Sequence, residues 1–275
     1  MPELPEVEVT RRSIAPALVG HRLTRVVARV PALRYPLPAD LGRMLEHRRL
    51  ADITRRGKYL LLNFDPGHLL IHLGMSGTLR LLPAQHPPQK HDHLDLSFDI
   101  PGSIAPLLRL HDPRRFGAVL WIEGDPLRHP LLASLGVEPL SAPFDAAWLQ
   151  QTLAQRRTAI KPTLMNNRLI VGIGNIYAAE SLFRAGIDPR RVAASLNRAE
   201  LQRLVESIQT TLHAAIDAGG SSLRDFIHTD GAPGEFQQQY FVYGRQGLPC
   251  RLCGTSVLKL QQGQRSTGYC PQCQR

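Results

Sequence analysis

The chain has 275 residues, 43% hydrophobic and 20% charged, with a formal net charge of +10. Those proportions are globular and exclude wholesale disorder. The positive charge points to a polyanionic partner, most often nucleic acid, rather than to an incidentally basic enzyme. The opening MPELPEVEV carries acids at Glu3, Glu6 and Glu8, with no basic stretch and no apolar core, so it does not read as a secretory signal. Apolar runs such as Leu60 to Leu62 and Leu69 to Ile71 are too short to cross a bilayer. A soluble, intracellular chain is expected.

Residues 2–19 predict a helix, with Leu4, Val7, Ile14 and Leu18 on one face and Gly20 as its stop. Pro16 predicts a kink or two short pieces, because proline lacks an N–H and crowds the preceding turn. From 21 to 122 the texture is that of strands: Leu23–Val30, Tyr59–Phe64, His68–Leu73, Leu79–Leu82, Leu94–Ile100 and Ala118–Ile122, punctuated by Gly, Pro and Asp. Short strands at this spacing predict a sandwich or barrel rather than βαβ units. From about 130 to 230 the pattern is helical. A helix starts after Asp145 and runs through Trp148–Leu153, and Asn175–Ala185 and Arg198–Ala218 are strongly periodic. Gly219 and Gly220 end the last of these. Residues 231–247, rich in Gly and Gln, predict a linker or mobile loop.

The four cysteines form two pairs, Cys250-x-x-Cys253 and Cys270-x-x-Cys273, with sixteen residues between them. Two such knuckles supply the four thiolates of a tetrahedral metal, and a hairpin between them closes the site. Val257–Leu260 and Thr267–Cys270 predict its strands, with Gly263 near the turn. So short a segment has almost no core of its own and predicts a structural zinc ion on which its folding depends. A redox dithiol or a pair of disulfides is the alternative, disfavoured in an intracellular chain. Arg265 falls near the tip of the hairpin, where an arginine is either solvated or placed to enter a DNA groove.

Removal of Met1, which a small second residue allows, leaves Pro2 with a free secondary amine. An α-amino group titrates at about 7.7–8.0, so a useful fraction is neutral and nucleophilic. Glu3 beside it is a candidate acid or base, although carboxylates in a first helical turn commonly serve only the helix dipole. The string PELPEVE at residues 2–8 resembles the opening of the bacterial formamidopyrimidine-DNA glycosylases, also called 8-oxoguanine DNA glycosylases. Further segments resemble the family in the same order: Arg56-Gly57-Lys58-Tyr59, His72-Leu73-Gly74-Met75-Ser76-Gly77 and Lys90-His91-Asp92-His93. Then come Asp112-Pro113-Arg114-Arg115-Phe116-Gly117, Gly172-Ile173-Gly174-Asn175-Ile176-Tyr177 and the four-cysteine ribbon. The likeness spans essentially the whole chain; the stretches 31–50 and 99–108 are less diagnostic.

The resemblance implies an α+β multidomain chain. Its parts are an N-terminal β-sandwich with flanking helices (2–130), a helix–two-turn–helix domain (131–230) and a zinc ribbon (240–275), with DNA between the domains. It implies Pro2 as nucleophile, Glu3 as general acid, Lys58 in base release and elimination, and Arg265 on the phosphates beside the lesion. Met75, Arg114 and Phe116 match the residues that fill the stack when a base is flipped out; without the likeness, Met75 and Phe116 would read as core. His91, Arg156, Asn175 and Tyr243 match or lie near backbone contacts, and residues 220–235 resemble a loop that closes over the flipped base. The implied partner is double-stranded DNA holding an oxidised base. The implied state is a monomer, and the setting is the bacterial cytoplasm, on the nucleoid. Two rivals remain at this point. One is the sister endonuclease VIII type, acting on oxidised pyrimidines, against which Leu4 and the triplet Arg114–Phe116 speak. The other is a non-catalytic zinc-dependent DNA binder.

Overall fold

The computed structural model describes residues 2–104, 106–221 and 234–275. The chain forms two compact units, Met1–Ala133 with Ala218–Glu235, and Ser134–Asp217 with Phe236–Arg275. Among the described residues no helix is long and apolar enough to cross a membrane.

The first unit contains α1 (Leu4–Leu18), β1 (Arg22–Ala28), α2 (Leu41–Leu45), β2 (Leu50–Arg56), β3 (Tyr59–Phe64), β4 (His68–His72) and β5 (Thr78–Leu82). It continues with β6 (Asp92–Asp99), β7 (Leu107–His111), β8 (Ala118–Ile122) and α3 (Pro130–Ala133). The strands make two four-stranded sheets, ordered β1-β6-β7-β5 and β2-β3-β4-β8, with every pairing antiparallel. Alternation decides which residues meet. Leu60 and Leu62, Leu69 and Ile71, Leu94, Leu96 and Phe98, and Leu108 and Leu110 recur at period two and enter one core with Val7, Ile14 and Leu18 of α1. Each such side chain stabilises the fold by about 1.5–3 kcal/mol relative to exposure. The intervening positions of β6 and β7 carry charge: Arg109 is buried and grips Asp95 through two bonds of 2.7 Å.

Helix α1 runs unbroken through Pro16, against the expectation of a break. Pro16 stands in the last turn, so only one N–H bond, back toward Arg12, is forfeited. Strands β2 and β7 and helix α2 have no counterpart among the expected elements. In β7 the central Arg109 interrupts the apolar run, although it is buried against β6.

The second unit contains α4 (Ala146–Leu153), α5 (Ile160–Leu164), α6 (Asn175–Ala185), α7 (Arg198–Asp217), β9 (Leu258–Gln262) and β10 (Arg265–Tyr269). Asp145 caps α4 by accepting the Trp148 amide at 2.7 Å. Asn197 and Glu200 exchange side-chain and backbone bonds of 3.0 and 2.8 Å ahead of α7, a capping box. Residues 234–247 correct the linker expectation. Phe236, Tyr240 and Val242 are buried, and Phe241 stacks on Phe183 at 4.9 Å. Their apolar spacing was hidden by the intervening glutamines. Residues 231–233 of that expected linker, and 222–233 of the loop at 220–235 that resembles one closing over the flipped base, lie outside the described residues.

Candidate functional site

At the N-terminus, Pro2 is buried and Glu3 is the N-cap of α1. A reciprocal capping box forms: the Glu3 carboxylate accepts the amide of Glu6, and the Glu6 carboxylate accepts the Glu3 amide at 2.8 Å. Both residues are 2% exposed. Glu6 makes a second bond, accepting the Ser221 amide at 2.9 Å. It therefore joins the start of α1 to residues 218–221, where the Glu235 amide donates to the Ala218 carbonyl at 3.0 Å. The link to Ser221, 215 positions away, had no local signal.

Lys58 is 8% exposed in the turn between β2 and β3. Nearby, His72 ends β4. Burial, with the charges of Lys58 and Arg34, holds its imidazole down at about 4. His72 Nδ1 accepts the Gly74 amide at 3.0 Å, so the proton of the neutral ring sits on Nε2. A pocket of about 450 Å³ opens here, lined by Arg34, His72, Gly74, Met75 and Phe116. Arg34 and His72 carry no role expected from the sequence. His72 stood inside a quoted motif, whereas Arg34 lies in a stretch with none.

Met75 and Phe116 are, among the described residues, two of the few large apolar side chains exposed to solvent, at 38% and 46%. The Arg114 guanidinium lies 4.8 Å from the Phe116 ring centroid. The backbones carrying them approach closely: a Cβ on Gly74, which has φ +62°, would sit 2.4 Å from the Phe116 carbonyl carbon. Glycine is thus required twice over, by conformation and by space. The structure brings these three side chains onto one rim. His91 stands at φ +76°, half-buried between His93 and His111, with ring centroids 6.3 and 6.0 Å away.

In the second unit, Lys161 is buried and donates to Asn175 Oδ1 at 2.6 Å and to Thr267 Oγ1 at 2.7 Å. Asn175 in turn donates to the Ser266 carbonyl at 3.1 Å. These bonds pin the ribbon hairpin to the start of α6. A small cavity of about 110 Å³ is lined by Lys161, Pro162, Met165, Gln262 and Arg265. The exposed Arg265 opens β10 beside the Gly263 turn, so its cation and the head of α6 belong to one region of this unit. Tyr243 is set by a different device. The buried Glu180 of α6 accepts the amides of Phe241, Val242 and Tyr243 at 2.9, 3.0 and 2.8 Å. Burial pushes the pKa of Glu180 up, and the three amides oppose it. Arg156 is exposed beyond the end of α4.

Cys250, Cys253, Cys270 and Cys273 are free thiols whose sulfurs lie within 4.8 Å of one another. Cys253 and Cys270 are 3.5 Å apart and Cys250 and Cys273 3.9 Å. A tetrahedron with metal–sulfur bonds of about 2.3 Å has edges of about 3.8 Å, so the set fits a four-coordinate ion of zinc's size. No position is left for a reacting ligand.

Three domain models match the chain in order. They describe a formamidopyrimidine-DNA glycosylase N-terminal domain over residues 1–119, a formamidopyrimidine-DNA glycosylase H2TH domain over 135–227, and a zinc finger found in FPG and IleRS over 247–275. The formamidopyrimidine-DNA glycosylase of Aromatoleum aromaticum is 56% identical over 275 residues, covering 100% of both chains. The chain belongs to the formamidopyrimidine-DNA glycosylase family. Among solved structures it resembles the MutM (Fpg) protein of Thermus thermophilus at 41% identity and a TM-score of 0.87, covering 99% of this chain and 98% of that one. It also resembles the Lactococcus lactis Fpg at 34% identity, covering 100% of both chains. That protein was solved as a point mutant on DNA containing Fapy-dG (TM-score 0.91) and as wild type on DNA containing an oxidised pyrimidine (TM-score 0.89). The α+β reading, a β-sandwich followed by a helix–two-turn–helix domain with a zinc-finger segment, is borne out by the family models and the topology.

Proposed function

We propose that this chain is a bifunctional DNA glycosylase and abasic-site lyase of base excision repair, acting on formamidopyrimidines and 8-oxoguanine in double-stranded DNA. The observation that carries the reading is the N-terminus. A proline that becomes a free amine on loss of Met1 heads a helix capped by two nearly inaccessible carboxylates, in a chain that aligns end to end with its relatives.

In this reading the Pro2 nitrogen forms a bond to C1′ of the damaged nucleotide as the bond from C1′ to the base breaks. Glu3 donates a proton as the sugar ring opens, and an iminium ion joins Pro2 to the open sugar. The iminium acidifies the C2′ proton. Its loss expels the 3′ phosphate, and a second elimination releases the 5′ phosphate. Only an amine supports this route; a glycosylase that activates water stops at an abasic site. Lys58 assists base release and elimination, and Arg265 binds phosphate for the second elimination. Met75, Arg114 and Phe116 fill the space left by the flipped nucleotide, whose extrusion costs a few kcal/mol. His91, Arg156, Asn175 and Tyr243 hold the phosphate backbone. Residues 2–130 carry the chemistry, 131–230 the duplex grip, and 240–275 a ribbon in which a zinc ion, held by the four cysteines, cross-links two knuckles. The chain acts as a monomer in the cytoplasm, on the nucleoid.

The test is strand incision of an end-labelled duplex carrying 8-oxoguanine opposite cytosine. The expected product is a one-nucleotide gap with phosphate on both sides. Base release without a nick contradicts the lyase step, and binding without either leaves a DNA-binding protein. An oxidised pyrimidine belongs in the same assay, because a relative has been solved on such DNA. Turnover of that lesion alone would move the chain to the sister specificity.

A further inference from the structure

The three insertion residues sit on two crossovers between the sheets, one linking β4 to β5 and the other β7 to β8. Because β4 pairs with β8 (His72↔Ala118) and β5 with β7 (Thr78↔His111), the crossovers run side by side. Met75 rides on the first, and Arg114 and Phe116 ride on the second. Asp112, 0% exposed, starts the second crossover. One of its carboxylate oxygens accepts the Ser76 hydroxyl at 2.9 Å and the Arg114 amide at 3.3 Å. The other accepts the Gly117 amide at 2.8 Å. Its carbonyl accepts the Arg115 amide at 3.2 Å and pairs with His93 Nε2 at 2.9 Å. Arg115 itself is held at φ +55°, a conformation that costs a non-glycine residue about 1–2 kcal/mol unless its surroundings enforce it.

We propose that Asp112 is a positioning residue. It fixes the fold of its own crossover and, through Ser76, locks it to the neighbouring one, so that Met75, Arg114 and Phe116 enter the duplex as one body. This rests on the insertion role assigned above. Neither Asp112 nor Ser76 reaches the rim; both are nearly inaccessible, so their effect passes through the side chains they orient. An error of about 1 Å in such orientation can slow a reaction by up to about a hundredfold.

The decisive variant is Ser76→Ala, which cuts the bond between crossovers and leaves Asp112's bonds to its own loop intact. Asp112→Asn, which sets an amide donor against the Gly117 amide, instead disturbs the fold of the second crossover itself. Two substrates separate insertion from chemistry: a duplex with 8-oxoguanine, which must be flipped out, and single-stranded DNA with a preformed abasic site, which has no stack to open. Ser76→Ala is expected to slow single-turnover excision from the duplex by about tenfold. The fluorescence rise of a neighbouring 2-aminopurine should fall in step, while abasic-site cleavage stays within about twofold of wild type. Met75→Ala, which removes one of the inserting side chains itself, should slow excision from the duplex at least as much. Equal losses on both substrates, or no loss on either, would overturn the proposal while wild-type excision leaves the functional reading standing. A wild-type chain that leaves 8-oxoguanine in place removes both together.

Discussion

In the sandwich, a continuous apolar cluster runs from Val7 to Val119 and draws on α1 and both sheets. In the ribbon, the hairpin β9–β10 leaves Leu258, Lys259, Gln261 and Arg265 exposed. Cys250, Val257 and Cys270, which flank the hairpin, belong to a small cluster with Ala179 and Phe183 of α6 and with Val242, and the end of β10 from Thr267 to Tyr269 is buried. The first region can fold on burial alone. The second leans on groups outside the hairpin: four cysteines placed to hold a metal, a helix face it packs against, and the bonds from Lys161 and Asn175 to Thr267 and Ser266. That difference separates what metal removal can damage from what core mutation can damage.

Chelation should have the largest effect. Structural zinc contributes about 10–16 kcal/mol to isolated fingers. Stripping the metal, or Cys253→Ser, should therefore abolish DNA binding and open residues beyond Gly244 to proteolysis, while the main thermal transition of the sandwich survives. Limited proteolysis with metal analysis reads both, with one zinc per chain expected. A ribbon that stays protease-resistant without metal would mean that α6 alone suffices. Next comes Leu62→Ala, in the sandwich core, which should lower unfolding free energy by about 2–5 kcal/mol in urea melts and leave metal content unchanged.

A pH dependence sharpens the same contrast. His72 is held neutral in the folded state at about 4, below the usual 6.5, by burial and by Lys58 and Arg34. The unfolded chain therefore binds the extra proton between those values. The His72 contribution to stability is intact above about 6.5 and is lost as pH falls toward 4, by at most roughly 3 kcal/mol. Urea melts from pH 7 to 4 should show this slope in wild type and a shallower one in His72→Gln. The smallest effect on stability belongs to Arg265→Gln, an exposed position, expected within about 0.5 kcal/mol of wild type. Its mark should be on DNA: weaker binding and a salt dependence of log K reduced by about 0.9.

Local signals were the legible ones. Helix α6 keeps the bounds read from its periodicity, Asn175–Ala185, because an apolar stripe and the glycines before and after it specify both ends. The ribbon was legible from cysteine spacing, with its strands shifted by one or two positions so that Arg265 opens β10. Long-range partners were not legible. Arg109 looks like a strand breaker until Asp95 faces it across β6 and β7. Glu180 sits on a helix as though for solvent, yet it holds three amides of a segment some sixty positions on. Glu6 and Asp112 likewise act through partners that only the folded chain supplies.

Attack of the Pro2 amine on C1′ can be caught by borohydride trapping. The chain offers few competing amines, since its lysines are Lys58, Lys90, Lys161 and Lys259. Met-processed, zinc-loaded protein would be incubated with a duplex carrying 8-oxoguanine opposite cytosine, reduced, and the attachment mapped by mass spectrometry. A single cross-link on Pro2, lost when the N-terminus is blocked, is expected. A cross-link on Lys58 or another lysine, or strand cleavage that persists with the N-terminus blocked, would contradict it.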